Sequence, residues 1–227
     1  MNEKKYKSID FQNENAIKTR LFIIKIYSYM KKIIIFILGA PCSGKSTLRR
    51  ALKQKISAEK NLLKIEDFSV GNLLRQEVKK QTVTGKRIEY HIQNGLLITN
   101  TYWIPLLQEK FDKQDIDVLI MDGYLSGKDA LNIFKDLTKE FTTIIIRRHT
   151  LLDLILKREE KSREERKAQS RDDVKNFYSR LEEYLRFSAP LWKVIKKDYG
   201  DKAISISGRK EAKESSIIIY EQIQKFL

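Results

Sequence analysis

The sequence predicts an α/β fold, with a central parallel sheet and helices on both of its faces. Three observations support this fold class. Short apolar runs rich in β-branched residues alternate with segments of helical composition, which is the pattern of strand–helix units in a parallel sheet. A glycine-rich loop follows the first of these runs. A length of 227 residues with 41% hydrophobic content suits a single globular domain.

Five segments are predicted as strands, and four of them are apolar runs. Residues 32–38 form the most continuous run, which ends at Gly39 and has the composition of a strand buried on both faces. Residues 117–121, 142–146 and 203–207 are shorter apolar runs, whereas residues 65–70 are a weaker extended stretch. Helices are predicted at residues 46–57, 71–80, 85–94, 99–113, 126–140, 174–197 with a break near Pro190, and 211–227.

A further helix begins at residue 151 and runs into the charged stretch REEKSREERKAQSRDD. This stretch has almost no apolar residues, so it is not expected to form core. It is either an exposed helix with many ion pairs or a lid over a site. At the other end of the chain, residues 1–29 are predicted to be a polar extension, and residues 30–227 a single folded domain.

The formal net charge of +15 arises from 45 Lys and Arg against 30 Asp and Glu. This excess favours an anionic partner, such as a nucleotide, a nucleic acid or a membrane surface, or else it is a solvated surface without a partner. No run of about 18 apolar residues is free of charge, so no membrane-spanning helix is predicted. The single cysteine, Cys42, excludes an intrachain disulfide and indicates a reducing, cytoplasmic setting.

Residues 39–46, GAPCSGKS, fit the phosphate-loop pattern G-x-x-x-x-G-K-[ST] at every fixed position. Two glycines permit a tight turn whose backbone N–H groups converge on phosphate oxygens, and the following helix adds the positive end of its dipole. Lys45 is expected to reach the β- and γ-phosphates, and the Ser46 hydroxyl to bind Mg²⁺. The predicted ATP site, called the P-loop below, consists of Gly39, Ala40, Pro41, Cys42, Ser43, Gly44, Lys45, Ser46 and Thr47.

A second motif, LIMDG at residues 119–123, places a carboxylate where an apolar strand ends. Such a "DG" pair on its own is usually a turn. Beside a P-loop, however, a strand-end carboxylate can approach Mg²⁺ or its water ligands. We therefore predict that Asp122 binds the metal ion and takes part in catalysis.

Several blocks of sequence resemble, in order, those of the adenylate kinase-like nucleoside monophosphate kinases. Besides GAPCSGKST they are FSVGNLLRQEV at residues 68–78, the segment at residues 85–110, LIMDGYLSG at 119–127, LILKREEKS at 154–162 and YSRLEEYLRFSAPLWKVI at 178–195. The resemblance extends from Met30 to the C-terminus. It implies a three-layer P-loop kinase fold with a helical acceptor-binding insertion at residues 66–100 and a short lid at residues 157–173.

The matched positions imply roles for individual residues. Arg75 would hold the phosphate of the acceptor, and Gly208 would pass near the donor adenine. The acceptor pocket would comprise Ser69, Val70, Gly71, Arg75, Gly95, Leu97, Gly123 and Lys128. The catalytic set would be Lys45, Asp122, Arg158, Arg171 and Arg180, with Arg163 as the alternative to Arg171. Guanidinium groups suit this set because they neutralise a transferring phosphoryl group and fix its geometry.

The acceptor side departs from the family pattern, whereas the donor side does not. The family's Asp-Gly-Phe-Pro-Arg becomes Asp-Gly-Tyr-Leu-Ser at residues 122–126, so Ser126 replaces an arginine that clamps the acceptor phosphate. Lys128 would restore a positive charge but not a bidentate fork. Val70 replaces a threonine, which removes a hydroxyl group from the base pocket.

The remaining polar and aromatic residues are not predicted to form a site. His91 and His149 lack the spacing of metal ligands. Six aromatic residues occur at helical intervals, which favours core packing over base stacking. They are Trp103, Trp192, Phe177, Tyr178, Tyr184 and Phe187.

The sequence thus predicts an ATP-dependent phosphotransferase that uses Mg²⁺ and moves the γ-phosphoryl group to a nucleoside monophosphate. Two alternatives stay open. The loss of the arginine at Ser126 suggests a P-loop kinase of another small metabolite. The positive charge suggests a nucleotide-binding protein without transfer activity, which includes a nucleic-acid-binding protein. The sequence does not indicate an oligomeric state.

Overall fold

The structure, a computed structural model, describes residues 32–94, 98, 100–112, 116–123, 125–168 and 177–227. Three predicted site residues, Gly95, Leu97 and Arg171, lie outside the described residues, as does the predicted extension at residues 1–29. The predicted division into an extension, a kinase domain, an insertion and a lid therefore stays a prediction.

Five parallel strands form the central sheet, in the order β2-β3-β1-β4-β5. Their bounds are β1 Ile33–Leu38, β2 Ile65–Ser69, β3 Val118–Gly123, β4 Thr142–His149 and β5 Ala203–Ser207. All six residues of β1 are buried, because the strand lies between β3 and β4 and is covered on both faces. This arrangement confirms the predicted α/β fold class.

Helices connect the strands and cover both faces of the sheet. Nine α-helices are present in the described part of the chain: α1 Lys45–Glu59, α2 Val70–Lys79, α3 Val83–Gln93, α4 Asn100–Asp112, α5 Gly127–Thr138, α6 Leu152–Ala168, α7 Phe177–Glu183, α8 Leu191–Tyr199 and α9 Ala212–Ile223. A π-helical turn, Tyr184–Ser188, joins α7 to the region of Pro190, where the sequence predicts a break. The predicted charged helix is confirmed as far as the end of α6.

Two apolar cores lie on opposite faces of the sheet, and the alternation of side chains in β1 separates them. Ile33, Ile35 and Ile37 pack with α1 and α9. Ile34, Phe36 and Leu38 pack with the helices of the other face, including α5 and α8. Because each face needs its own helical layer, the sandwich has three layers.

Several boundaries differ from the prediction. Strand β3 continues through Asp122 and Gly123, both buried, so these residues belong to the strand and not to a turn after it. Strand β4 continues to His149. The prediction of core packing is wrong for Tyr178 and Phe187, whose side chains are 62% and 44% exposed because they lie on the solvent side of the α7 region.

The remaining aromatic residues agree with the prediction, since Trp103, Phe177 and Tyr184 are buried and Trp192 packs against a core. In the part of the chain that the structure describes, no helix combines the length and apolar composition needed to cross a bilayer.

Candidate active site

The P-loop leaves the carboxyl end of β1, the central strand, and leads into α1. This is the topological switch point of the sheet, since the chain leads from β1 to β2 on one side, whereas it leads from the adjacent β4 to β5 on the other. A Cβ atom at Gly39 would lie 2.6 Å from the main-chain oxygen of Arg148, so only glycine fits there. Gly44, directly before α1, has a φ of 86°. This left-handed backbone conformation favours glycine, which has no Cβ atom.

Lys45 is the first residue of α1, and its ammonium group points back into the loop. Its Nζ donates to the main-chain oxygen of Ala40 at 2.6 Å. Burial lowers the pKa of Lys45 to about 8, the Asp122 carboxylate opposes this shift, and the Arg180 charge adds to it. The structure therefore brings together three of the predicted catalytic residues at one electrostatic centre.

Asp122 is buried at the end of β3 and faces α1. Its Oδ2 lies 3.1 Å from Arg49 Nε, which also lies 3.4 Å from Asp67 Oδ2. Lys53 Nζ contacts the other oxygen of Asp67 at 2.8 Å. Two cations of α1 thus compensate two carboxylates on neighbouring strands.

Arg49 was not predicted as a site residue, although the strand periodicity contains the signal. Asp67 pairs with Ile120 in the register of β2 and β3, and Asp122 lies two residues further along β3. Both carboxylates therefore lie on one face of the sheet, where α1 packs. A buried carboxylate pair needs a counter-charge, and Arg49 is the arginine one helical turn after Lys45.

The chemistry of the donor groups fits Mg²⁺ at this position. The Ser46 side chain is exposed at the start of α1, and Asp122 offers carboxylate oxygens at the adjacent strand end. Asp122 Oδ2 is buried and, among the described residues, has no partner with hydrogen-bond geometry despite the nearby Arg49. Hard oxygen ligands from one hydroxyl and one carboxylate, completed by phosphate and water, are typical of Mg²⁺ sites.

Arg158 and Gly208 meet on the other side of the P-loop. Arg158 Nη1 donates to the main-chain oxygen of Ser43 at 3.1 Å, and its Nη2 donates to that of Gly208 at 2.9 Å. The N–H of Gly208 donates to the His149 oxygen at 2.6 Å. The predicted lid-side arginine and the predicted adenine-side glycine are therefore neighbours, with Arg158 bonded to the main chain.

Arg148 is a second arginine at this place that the sequence did not single out. It is 2% exposed, and its Nε donates to the Ser43 oxygen at 2.9 Å. Burial lowers its pKa and the Arg158 charge lowers it further, while Glu211 opposes both. Strand periodicity could have predicted its direction, because Ile144 and Ile146 on the same face of β4 are core residues.

Cys42 connects the P-loop to α6. Its φ is 55°, and its thiol donates to Glu159 Oε2 at 3.1 Å. Glu159 is only 2% exposed. The expectation that the charged stretch contributes nothing to the interior is therefore wrong for this residue, because a polar side chain can be buried when it receives hydrogen bonds.

Four of the predicted acceptor residues, Ser69, Val70, Gly71 and Arg75, lie where β2 enters α2. Ser69 is buried at the end of β2, and Val70 packs against Gly123 of β3. The Arg75 side chain is exposed on α2, where it lies beside Gly71 and donates to Asn72 Oδ1. This pocket lies across β3 from the P-loop.

Ser126 does not replace the missing arginine with another cation. Its hydroxyl donates to Glu183 Oε1 of α7 at 2.9 Å. Burial raises the pKa of the Glu183 carboxyl, opposed by the Ser126 hydrogen bond and by the Arg180 charge. Lys128 is exposed on α5. The prediction that Lys128 contacts the acceptor stays a prediction, as do the individual roles of the other site residues.

The P-loop lies at the switch point of a parallel sheet, and a lysine, a strand-end carboxylate and arginines surround it. This arrangement defines a P-loop phosphotransferase of the nucleotide kinase class. The family model described as adenylate kinase matches residues 37–199. The chain therefore belongs to the adenylate kinase family.

Individual relatives agree with this family. An adenylate kinase of Nitratiruptor sp. is 31% identical over 159 residues, which are 69% of this chain and 77% of that protein. An adenylate kinase of Sulfurovum sp. is 32% identical over 111 residues, or 49% of this chain and 53% of that protein. UMP-CMP kinase 3 of Oryza sativa is 29% identical over 109 residues, or 48% of this chain and 49% of that protein. The latter two alignments span about half the length of each relative.

Proposed function

We propose that this protein transfers the γ-phosphoryl group of ATP to the phosphate of a nucleoside monophosphate. The observation that carries the proposal is the P-loop at the end of the central strand, with Lys45 Nζ directed into the loop and the buried Asp122 carboxylate at the end of the adjacent strand. The family assignment supports the same reaction. Relatives named adenylate kinase and UMP-CMP kinase suggest AMP, UMP and CMP as the first acceptors to test.

In this proposal, each substrate has its own set of groups. The P-loop amides and Lys45 hold the β- and γ-phosphates, while Arg75 holds the acceptor phosphate. An acceptor oxygen forms a bond to the γ-phosphorus as the bond to the bridging oxygen of ADP breaks. Arg158 and Arg180 neutralise the oxygens of the transferring group, so positioning and electrostatics supply the catalysis without a protein base.

Mg²⁺ is part of the proposal. Ser46 and Asp122 would hold the ion, directly or through water, and Arg49 would keep Asp122 in position. When bound, Mg²⁺ neutralises phosphate charge. In this proposal the Asp122 carboxylate is already paired with one cation, Arg49, before the metal binds.

We also propose a cytoplasmic location. The reduced thiol of Cys42 is part of the P-loop and donates to Glu159. A reducing compartment keeps such a thiol intact, whereas oxidation would place additional bulk inside the phosphate site. Fractionation of cells that produce the tagged protein tests this location.

A coupled assay of ADP formation with AMP, CMP, UMP, GMP and dTMP tests the reaction. We expect turnover with at least one of these acceptors, dependence on Mg²⁺, and loss of turnover in the Lys45→Ala variant. ADP formation that equals the acceptor-free background with all five nucleotides rejects the proposal.

A further inference from the structure

The main-chain carbonyl of Ser43, inside the P-loop, is held by side chains from outside the loop. Arg148 Nε donates to this oxygen at 2.9 Å, Arg158 Nη1 at 3.1 Å and Thr150 Oγ1 at 3.3 Å. A carbonyl oxygen has two lone pairs, so three donors exceed what it needs. The direction of this carbonyl is therefore fixed by more hydrogen bonds than its oxygen needs in order to be paired.

Arg148 links the Ser43 carbonyl to two further parts of the chain. Besides Ser43, its guanidinium contacts Ser215 Oγ of α9 at 3.1 Å and the main-chain oxygen of Lys210 at 2.8 Å. The three nitrogens of the group belong to one rigid plane. Arg148 thus holds the P-loop, the loop after β5 and α9 in one fixed relation.

The orientation of the Ser43 carbonyl determines the orientation of the next N–H. All peptide bonds of the described residues are trans, and in a trans peptide the C=O and the N–H point in opposite directions. The N–H of Gly44 therefore points away from Arg148. Gly44 directly precedes α1, where phosphate-binding loops present their amide groups to the ligand.

We propose that Arg148 is a positioning residue of the phosphate cradle, which fixes the Ser43–Gly44 peptide so that the Gly44 N–H is aimed at the triphosphate before ATP binds. Arg148 itself does not contact the nucleotide. The proposal rests on the proposed function in one respect, namely that ATP is the ligand of the P-loop. Hydrogen-bond donors that are preorganised in this way favour binding, because the loop does not have to rearrange when the ligand binds.

The same geometry explains how Arg158 can leave Ser43. Arg158 is half-buried, and its predicted role requires it to turn towards the transferring group. When it does, Arg148 and Thr150 still satisfy the Ser43 oxygen, so the carbonyl is not left unpaired. Arg148 and Arg158 also repel each other, and the negative charge of ATP reduces this repulsion.

Binding of a non-hydrolysable ATP analogue, measured by calorimetry, tests the proposal. We expect the Kd of the Arg148→Met variant to rise about tenfold, because a misdirected amide weakens the cradle. The ATP KM should rise with it, while the acceptor KM stays within about twofold of wild type. Arg148→Lys keeps the charge but loses the three-way fork, so its Kd should still rise at least about threefold.

Arg147→Met is the matched control, since Arg147 is the neighbouring arginine of β4 and its guanidinium lies over the Trp192 ring on the other face of the sheet. We expect its analogue Kd to stay within about twofold of wild type. Wild-type affinity of folded Arg148→Met overturns the proposal, even if its thermal stability falls. Full recovery by Arg148→Lys also overturns it, because charge alone would then suffice.

A milder variant covers the case in which Arg148→Met does not fold. Ser215→Ala removes only the acceptor of Arg148 Nη1, and we expect a rise in Kd of about threefold. Wild-type affinity in Ser215→Ala then rejects the proposal. Analogue binding needs no phosphoryl transfer, so absence of turnover with every acceptor rejects the proposed function without changing the result for Arg148.

Discussion

The two sides of the candidate site are built differently. On the donor side, which comprises the P-loop, Arg148, Arg158 and the loop after β5, the arginines bond to main-chain oxygens at Ser43, Gly208 and Lys210. On the acceptor side, the predicted acceptor residue Arg75 and the neighbouring Ser126 bond to other side chains, Asn72 and Glu183 respectively. The donor-side arginines are therefore held mainly by main-chain oxygens, whereas Arg75 and Ser126 are held by rotatable groups.

This difference has a consequence for specificity. Main-chain contacts do not depend on the side chain of the residue that supplies the carbonyl, so the contacts of Arg148 with Ser43 and Lys210 are independent of the side chains at those two positions. Side-chain contacts are lost or gained with single substitutions. We therefore expect substitutions on the donor side to change the whole reaction and those on the acceptor side to change the choice of substrate.

The largest effect is expected for Lys45→Ala. Because Lys45 is the only predicted charge inside the P-loop, its removal should lower kcat by at least about a hundredfold with every acceptor. Circular dichroism should show an unchanged fold, since the residue lies at the start of α1 and its ammonium group bonds a carbonyl of the P-loop itself, that of Ala40. Steady-state assays over a range of ATP concentrations measure the effect.

Lys55→Ala is the control for this substitution. Lys55 lies on the same helix and pairs with Glu59 on the surface, so its loss should leave kcat unchanged. Turnover of Lys45→Ala within a few-fold of the Lys55→Ala value would contradict the assignment of Lys45 and, with it, the description of the donor side as common to all acceptors.

Arg75→Ala should separate the two sides. The Arg75 side chain is exposed and hydrogen-bonded within its own helix, so we expect little loss of stability but a rise in acceptor KM of at least about tenfold. The ATP KM should change by less than about twofold. Arg87→Ala, an exposed arginine of α3, serves as the control. Equal losses for ATP and acceptor would show that the two pockets are not separate.

The pH dependence of ATP binding tests the donor side alone. Burial holds the pKa of Lys45 near 8, and the phosphates of ATP favour the charged form, so binding raises this pKa. ATP binding then takes up a proton above pH 8, and the affinity should fall with rising pH by up to about tenfold per unit. Calorimetry with the ATP analogue in buffers on both sides of pH 8 measures this slope.

Without ATP, the same group has the opposite effect on stability. The folded pKa of about 8 lies below the ordinary lysine pKa of 10.5 expected for the unfolded chain, so the unfolded state binds more protons between these values. The free energy of unfolding that Lys45 contributes should therefore rise with pH across this window. Lys45→Met should abolish both dependences. If its affinity falls with pH as steeply as that of wild type, another group is responsible.

The sequence was sufficient for the fold class and the P-loop, because both depend on local patterns. The β-branched run before Gly39 and the spacing of Gly39, Gly44 and Lys45 are readable without tertiary contacts. Arg49 and Arg148 were missed because their partners lie far away in the chain, at Asp122 and Ser43 respectively. Strand periodicity indicates the faces of Arg148 and of the two carboxylates that Arg49 contacts, but the contacts themselves depend on strand order, which the periodicity does not contain.

The same reason limits the acceptor side. A motif shows that Ser126 stands where an arginine is expected, but it does not show that Glu183, 57 positions away, accepts its hydrogen bond. The carboxylate is half-buried, and burial raises its pKa. A negative group at this place disfavours a nearby phosphate dianion unless a cation lies between them.

Ser126→Arg is the smallest expected change and the sharpest test of the acceptor side. The introduced guanidinium can pair with Glu183, which would compensate the charge of the carboxylate. The remaining N–H groups of the guanidinium would then face the acceptor pocket. We expect the acceptor KM to fall about threefold while the ATP KM is unchanged. Ser126→Lys adds the charge without the fork and should give a smaller gain, so the ratio of the two variants separates charge from geometry. An unchanged or higher acceptor KM in Ser126→Arg would mean that Ser126 and Glu183 lie outside the path of the acceptor phosphate, and the specificity of this side would then depend on Arg75 and α2.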